Sequence, residues 1–395
     1  MKILLSAASF SSSISGLQRH AFNVAHCLLR QPEITALHVV VAPWQAHLLP
    51  EVGLVPDGRL TTHIAEMGHS SLRRNLWHYR ALPQLAASLK ADLVHLTFPM
   101  PVQAAAFPCP AVVTLHDLYP YEIPLNFGFP KCLFNRVTLK QCLSNVDAIA
   151  CVSDATRRRL RQYAGMAAWR KSMRIYNCVE PAKSCSIASP IPNWRGQRFL
   201  LCVAQHRRNK NLPLLLGSFA RLLRRGQVDS ASLLVVVGMT GPETTNILRL
   251  IARSGLSRRV HLLEGITDAE LQWCYERCEA LAAPSVTEGF GLPVVEALMT
   301  GGRVICSDIP ALREVGGEHC RYVGLNEDAE AKFADTIVAA LGEPKKPPVT
   351  LPQFSAAVLA EKYVSLYRGL IAAFAANRST RRAPMHAASW ERPSL

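Results

Sequence analysis

Two carboxylates, Glu288 and Glu296, bracket a glycine- and proline-bearing turn in the stretch Ala283-Pro-Ser-Val-Thr-Glu-Gly-Phe-Gly-Leu-Pro-Val-Val-Glu-Ala297. Gly289 and Gly291 permit a tight turn and a close backbone approach to a ligand. Pro293 suits the first turn of a helix, where its missing N–H costs nothing. Glu296 then falls about one turn inside that helix, and Gly301-Gly302 ends it. Free backbone N–H groups at such a helix start attract phosphate, and carboxylates beside them suit the hydroxyls of a ribose or a hexose. The chemistry supported is nucleotide-sugar binding. A bare Glu-x7-Glu pair fits a solvated helix as well; the apolar run Ala280–Ala283 just before it, together with the turn, favours a site. Val294 stands where a dinucleotide fingerprint would carry its third glycine, so a nicotinamide cofactor is the poorer reading.

The elements that must position these groups alternate along the chain. In the first half, Ile3–Ala7, Leu37–Val41, Leu93–Leu96, Val112–Leu115 and Ala148–Val152 are short apolar runs. Gly16–Arg30 and Leu72–Lys90 have the apolar spacing of helices covering a sheet, with Pro83 marking a kink or break. The second half repeats the scheme with strands at Phe199–Val203, Leu233–Val237, Val260–Leu263, Ala280–Ala283 and Val304–Cys306. Helices are expected at Leu212–Arg224 and Glu243–Arg253, and Asp268 is expected to cap one running to about Cys278. Short continuous apolar strands separated by helices imply parallel sheets covered on both faces. The fold class is α/β, with two doubly wound units.

The Pro- and Ser-rich stretch from Glu180 to Pro192 reads as a linker between the units, and Gly342-Glu-Pro-Lys-Lys-Pro-Pro348 as a second. A helical pattern follows at Phe354–Leu370, then a basic tail expected to be flexible over 376–395. The expected domains are 1–185, completed by a helix at 354–372, and 195–345.

Composition narrows the partners. At 395 residues, nearly half of them apolar, the chain can fill two cores and is not wholly disordered. No apolar run approaches the length of a membrane span. The start, Met1-Lys-Ile-Leu-Leu-Ser-Ala-Ala, reads as a first strand rather than a leader, so a cytoplasmic protein is expected. Twelve cysteines are scattered with no Cys-x-x-Cys pair, which disfavours a zinc site and suggests small buried hydrophobes. The formal charge of +15 asks for an anionic partner. No nucleic-acid motif is present, and an anionic membrane surface or a lipid-linked substrate fits better. The basic helix Asp154-Ala-Thr-Arg-Arg-Arg-Leu-Arg161 is an obvious contributor, although a solvated face accounts for it equally well.

Two Rossmann-like halves with the nucleotide motif in the second resemble the GT-B fold, whose two domains face a cleft, and within it the retaining glycosyltransferases of family 4. The resemblance rests on the Glu288–Glu296 motif, on Ser307-Asp-Ile-Pro-Ala-Leu-Arg-Glu-Val-Gly-Gly317 and on Arg207-Arg-Asn-Lys-Asn-Leu-Pro213. Val152-Ser153-Asp154, His116-Asp117 and Ile175-Tyr-Asn177 add to it, and the landmarks span roughly residues 1–370. The resemblance implies that Glu296 holds the ribose hydroxyls, while Glu288 and the segment Gly289, Phe290, Gly291 and Leu292 hold the donor sugar. Arg208 and Lys210, just after Phe199–Val203 at the carboxyl end where open sheets bind ligands, resemble the family's phosphate-binding pair. The family's Arg usually lies nearer to the position of Gln205, so Lys210 is the firmer match and Arg207 or Arg208 substitutes for the Arg. A solvated basic loop is the alternative for all three. His116 matches the first-domain histidine that contacts the donor sugar, although a histidine ending a strand is often structural. Gly16 matches a glycine that lets the diphosphate approach; Ser15 replaces the second glycine common there.

The expected activity is retaining transfer of a hexose, with mannose the leading candidate, from a GDP- or UDP-linked donor to a polysaccharide or lipid-linked oligosaccharide. No acidic metal motif is present, so charge neutralisation falls to Arg and Lys, and neither metal nor cofactor is expected. The expected location is cytoplasmic, with peripheral contact at the inner membrane face. A nucleotide-sugar epimerase of the same fold is one alternative. A non-catalytic basic protein binding nucleic acid or membrane is the other.

Overall fold

The computed structural model describes residues 1–12, 14–180 and 188–382, with side chains described to 377. Thirteen strands form two wholly parallel sheets. The first contains β1 (Lys2–Ser6), β2 (Ala36–Val41), β3 (Leu60–Ile64), β4 (Leu93–Leu96), β5 (Ala111–Leu115), β6 (Ala148–Cys151) and β7 (Ser172–Arg174), in spatial order β3-β2-β1-β4-β5-β6-β7. The second contains β8 (Phe199–Val203), β9 (Leu233–Val237), β10 (Val260–Leu263), β11 (Ala280–Ala283), β12 (Val304–Ser307) and β13 (Arg321–Val323), ordered β10-β9-β8-β11-β12-β13. In each sheet the order reverses beside the first strand. That switch point is where loops at the carboxyl ends part and leave a crevice.

The central strands are apolar on both faces because helices cover both. β4, β5, β6, β9 and β12 are buried at every position. The three strands that no apolar run announced are β3, β7 and β13. They are edge strands reading LTTHI, SMR and RYV and lie half exposed, so one side needs no apolar residue. The helix Ser71–Ser88 runs without a break through Pro83. The cap of the helix Asp268–Arg277 is Thr267, whose hydroxyl accepts from Glu270 N, and not Asp268.

The long helix Ala356–Arg382 returns from the second sheet to the first. Its Tyr367 hydroxyl lies 2.6 Å from His95 Nδ1, and His95 Nε2 lies 2.8 Å from Thr114 Oγ1 beneath β4 and β5. Burial lowers the His95 pKa to about 3, so the ring is neutral and bridges two hydroxyls. This helix extends through residues expected to be a flexible tail; the remainder of that tail, and residues 181–187 of the expected linker, lie outside the described residues.

One apolar core runs between the two units. Tyr176, Phe290 and Phe354 pack with ring centroids 5.0–5.9 Å apart. Phe290 is 4% exposed. Its ring therefore belongs to the joint between the halves, whatever its backbone contributes to a ligand.

Candidate functional site

Glu288 lies in the loop between β11 and the helix Leu292–Met299. Its Oε1 accepts from Lys210 Nζ at 2.5 Å and from Ser285 Oγ at 2.7 Å. Oε2 accepts from the Tyr119 hydroxyl, across the cleft, at 3.2 Å. Lys210 arrives on a short turn after β8, adjacent to β11 in the sheet, so topology alone brings the two together. An ammonium group carries three N–H donors, and a single one meets Glu288. The pair is charge-assisted and mostly shielded from water.

The neighbouring arginines part company. Arg208 is exposed and donates to Glu243 at 2.8 Å. Arg207 is half-buried and acts on Asp117, whose pKa burial raises to about 6 while the guanidinium opposes the rise. Asp117 also accepts from Tyr119 N at 3.1 Å and feels the charge of Glu288. Of the basic loop, Lys210 reaches the acidic cluster, Arg207 acts on it through its charge without a hydrogen bond, and Arg208 is engaged elsewhere.

His116 directly follows β5 in the first unit, and its carbonyl oxygen lies against Gly289 in the loop that carries Glu288. Its Nε2–H donates to Thr97 O at 2.8 Å, and its ring meets His20 edge-on at 4.5 Å. Burial holds the His116 pKa at about 4, against the opposing effect of the Thr97 bond. At neutral pH it is an uncharged imidazole, suited to hydrogen bonding with a sugar but not to carrying positive charge.

The glycines of the turn serve protein contacts. A Cβ placed on Gly289 would lie 1.8 Å from His116 O, and Gly289 O accepts from Ser153 Oγ at 2.6 Å and Thr156 Oγ1 at 3.1 Å. Gly291 has φ +106°, and a Cβ there would meet Leu312 at 2.5 Å. The side of Gly289 that a Cβ would occupy is thus filled by the other domain, and that of Gly291 by Leu312 of its own. A Gly289→Ala change is expected to cost about 1–3 kcal/mol, since a backbone carbonyl must move to admit the methyl group. A melting temperature equal to the wild type's would refute this reading of the joint. Leu292, at the helix start, is half-buried against the shared core.

Glu296 sits on the next helix turn with its Oε2 accepting from Tyr275 Oη at 2.6 Å. Burial raises its pKa, opposed first by the charge of Arg19. Arg19, from the helix Gly16–Leu29, spans the cleft to Asp268 through two parallel bonds of 3.0 and 2.5 Å. Arg19, Asp268, Tyr275, Glu296 and Thr300 line one open pocket. Gly16 is the first residue of that helix, and a Cβ there would meet nothing within 4 Å. Ser15 N, just before it, donates to Gln18 Oε1 at 2.9 Å.

Arg159 belongs to the helix whose charges suggest a basic face. Instead it pairs with Glu122 at 2.5 Å and donates to Glu288 O at 2.8 Å. Its neighbours Arg157 and Arg161 pack on Trp169, and Asp154 binds Arg174. Glu314 crosses the cleft to accept from Asp154 N at 2.7 Å and Ala155 N at 2.9 Å, occupying that helix's N-terminus. Sequence reasoning missed Arg19, Tyr275, Asp117 and Glu314 as parts of the cleft. Asp117, directly after a strand end, carried a usable signal; Arg19 and Glu314 depend on domain docking, and Tyr275 on the packing of two helices within the second unit. Among the described residues no cluster of His, Cys, Asp and Glu could hold a metal ion, and the cysteines are free.

Two parallel-sheet units facing a cleft, with lysine and arginine beside paired carboxylates, define the GT-B class of sugar transferases. The model "Glycosyltransferase Family 4" matches residues 14–183, and "Glycosyl transferases group 1" matches residues 188–348. The chain belongs to the family 4 glycosyltransferases. It is similar to the O-antigen chain mannosyltransferase B of Escherichia coli, 23% identical over 80% of this chain and 85% of that protein. It is also similar to the GDP-mannose:cellobiosyl-diphosphopolyprenol alpha-mannosyltransferase of Xanthomonas oryzae pv. oryzae, 26% identical over 86% and 87%. A match to the O-antigen chain mannosyltransferase RfbU of Salmonella typhimurium, 27% identical, spans 57% of this chain and 59% of that protein. Among solved structures, the lipopolysaccharide glycosyltransferase WaaG shares the fold, with TM-score 0.64 and 16% identity over 94% of this chain and 98% of that one. Anabaena HepE, solved with UDP and glucose, has TM-score 0.63 and 18% identity over 95% and 100%.

Proposed function

We propose that the protein is a retaining mannosyltransferase that uses GDP-mannose and extends a lipid-linked glycan, without a metal ion. The carrying observation is the Lys210–Glu288 contact at the carboxyl ends of two adjacent strands, opposite a neutral His116. A leaving nucleoside diphosphate gathers negative charge as its bond to the sugar breaks. Lys210 and Arg207 would receive that charge, with the helix start at Gly16 assisting. Glu288 would accept hexose hydroxyls in place of Ser285 and Tyr119, and Glu296 would accept those of the ribose. In front-face transfer the bond from C1 to the phosphate oxygen breaks with its electron pair going to that oxygen. The acceptor oxygen bonds C1 from the same side, and its proton passes to the same phosphate oxygen. No protein nucleophile is required.

Mannose is supported by the names of the relatives, several of which are mannosyltransferases, one named for GDP-mannose. Guanine is supported by Asp268. Its carboxylate accepts two parallel N–H donors, here from Arg19, in the pocket that contains Glu296. Guanine presents such a pair from N1 and N2, whereas uracil presents one N–H between two carbonyl oxygens. GDP is expected to raise the melting temperature more than UDP does, and Asp268→Asn should erase that preference. Equal shifts from GDP and UDP in the wild type would remove guanine from the reading. Release of GDP from GDP-mannose only when a lipid-linked glycan acceptor is added would separate transfer from epimerisation. Among the described residues no helix is long and apolar enough to cross a membrane; we place the enzyme in the cytoplasm, at the membrane's inner face.

A further inference from the structure

Three carboxylates gather around Tyr119: Asp117, Glu122 and Glu288. Two of them are held by a cation. Glu288 accepts from Lys210 Nζ at 2.5 Å, and Glu122 pairs with Arg159 Nε at 2.5 Å. Asp117 has no such partner among the described residues. Its Oδ1 accepts from Tyr119 N at 3.1 Å, at the start of the short helix Tyr119–Glu122. Its Oδ2 meets no protein donor among the described residues and is not sealed from solvent. An asparagine binds a backbone N–H two residues on as well as an aspartate does. The turn therefore accounts for the side chain's shape but not for its charge.

Keeping that charge is costly. Asp117 is half-buried, and burial, with the charges of Glu122 and Glu288, raises its pKa to about 6 against the Tyr119 bond and the charge of Arg207. The groups that face it are Tyr119 and Glu122 on its own loop, Arg207 on the turn after β8, and Glu288 with its bound Lys210. His116, just before it, is neutral. A second polar group beside it is also unmet. The Glu122 side chain is nine-tenths buried, and its Oε2 has no hydrogen-bond partner. Buried polar atoms ordinarily find partners within the fold. Two carboxylates that do not, within reach of each other's charge and beside the donor-binding carboxylate, mark a place for a polar ligand.

We infer that Asp117 receives a hydroxyl of the acceptor sugar, and so decides which neighbouring hydroxyl of that sugar faces the donor. The inference rests on the proposed function. Tyr119 sets the spacing, because its N–H binds Asp117 and its hydroxyl binds Glu288 at 3.2 Å. The two carboxylates thus stand one tyrosine apart, one on each unit. Glu288 holds the donor hexose from the second unit, and Asp117 holds the acceptor hexose from the first, with the attacking oxygen between them. A carboxylate accepts hydroxyl hydrogen bonds at charge-assisted strength. The attacking hydroxyl still gives its proton to the phosphate oxygen; Asp117 accepts a hydrogen bond from the hydroxyl next to it and takes no proton.

The test is titration of the full chain, in excess GDP, with the methyl α-glycosides of mannose, glucose and galactose, read by ligand-observed NMR. The wild type is expected to bind at least one of them, and less tightly as pH falls through about 6, because a protonated acid must use one oxygen as a donor. Asp117→Asn keeps the bond from Tyr119 N and removes the charge. It is expected to weaken that glycoside about tenfold at neutral pH and to flatten the pH dependence. Its melting temperature at neutral pH should be no lower than the wild type's, since an ionised group with a raised pKa opposes folding. Its GDP-induced melting shift should be no smaller, since removing an anion near Arg207 does not weaken a hold on phosphate. An affinity or a pH dependence unchanged in the variant would overturn the inference. So would a wild type that binds none of the three glycosides, or a variant that loses its GDP shift along with the glycoside. Glycoside binding that depends on Asp117, in a protein whose melting GDP does not shift, would count against the guanine donor of the proposed function alone.

Discussion

Replacing Lys210 by alanine is expected to lower kcat/KM for the sugar donor by about 10²- to 10³-fold, the usual effect of deleting a preorganised charge aimed at a developing anion. The ammonium lies at 2.5 Å from Glu288 and is largely enclosed, so no solvent cation replaces it at comparable geometry. Lys210→Arg keeps the charge but spreads it over a planar fork, and partial activity is expected. Folding must be read alongside. Removing Lys210 leaves Glu288 with the Ser285 and Tyr119 hydroxyls, so its carboxylate stays hydrogen-bonded and the loss of stability should be smaller than the loss of rate. Steady-state kinetics together with thermal melts separate the two. A Lys210→Ala enzyme with wild-type kcat/KM would remove the cluster from the mechanism.

Glu296 should show opposite effects on binding and on stability. Burial raises its pKa, so the folded protein binds the proton more tightly than the unfolded chain does. At neutral pH the ionised side chain therefore opposes folding, and that opposition fades as pH falls through the raised pKa. The donor needs the ionised form, because a carboxylate accepts two ribose hydroxyls while a protonated acid must use one oxygen as a donor. Donor affinity is accordingly expected to fall on acidification at a higher pH than an ordinary glutamate would give. Glu296→Gln should flatten that pH dependence, raise the melting temperature at pH 7 and weaken donor binding by roughly tenfold, the size of a charge-assisted hydrogen bond. Calorimetric titration with GDP across pH measures the binding, and thermal melts at pH 7 measure the stability. An unchanged affinity in the glutamine variant would show that the ribose is held elsewhere.

How far the site was legible depends on what fixes each group. Glu288, Glu296 and Lys210 follow strand ends or lie one turn into a helix, positions that local pattern places well, and the structure brings Lys210 onto Glu288 as expected of a shared pocket. Arg207 and Arg208 are adjacent in the chain, yet Asp117 feels the charge of the first while the second binds Glu243. Which arginine faces the cleft is decided by the backbone of a short turn, which no spacing reveals. Gly289 is a candidate ligand contact by its place in the turn, and the side a Cβ would take is filled by His116 O. A glycine reports that something comes close and does not say what.

The same division runs through the fold. Ten strands were readable because central parallel strands are apolar on both sides; β3, β7 and β13 were not, since edge strands need no such run. The helix Lys131–Asn145 escaped notice because Leu133 and Val137 face outward and blur its apolar side. By itself the sequence determined the alternation of strands and helices, the carboxylates beside a glycine turn, and the excess of positive charge. These depend on residue type and short-range spacing. Only the tertiary structure decided that Arg19 meets Asp268 and that Arg159 and Glu314 bridge the two halves. Those contacts join residues more than a hundred positions apart or on separate helices, and such pairings are set by how the sheets and helices pack.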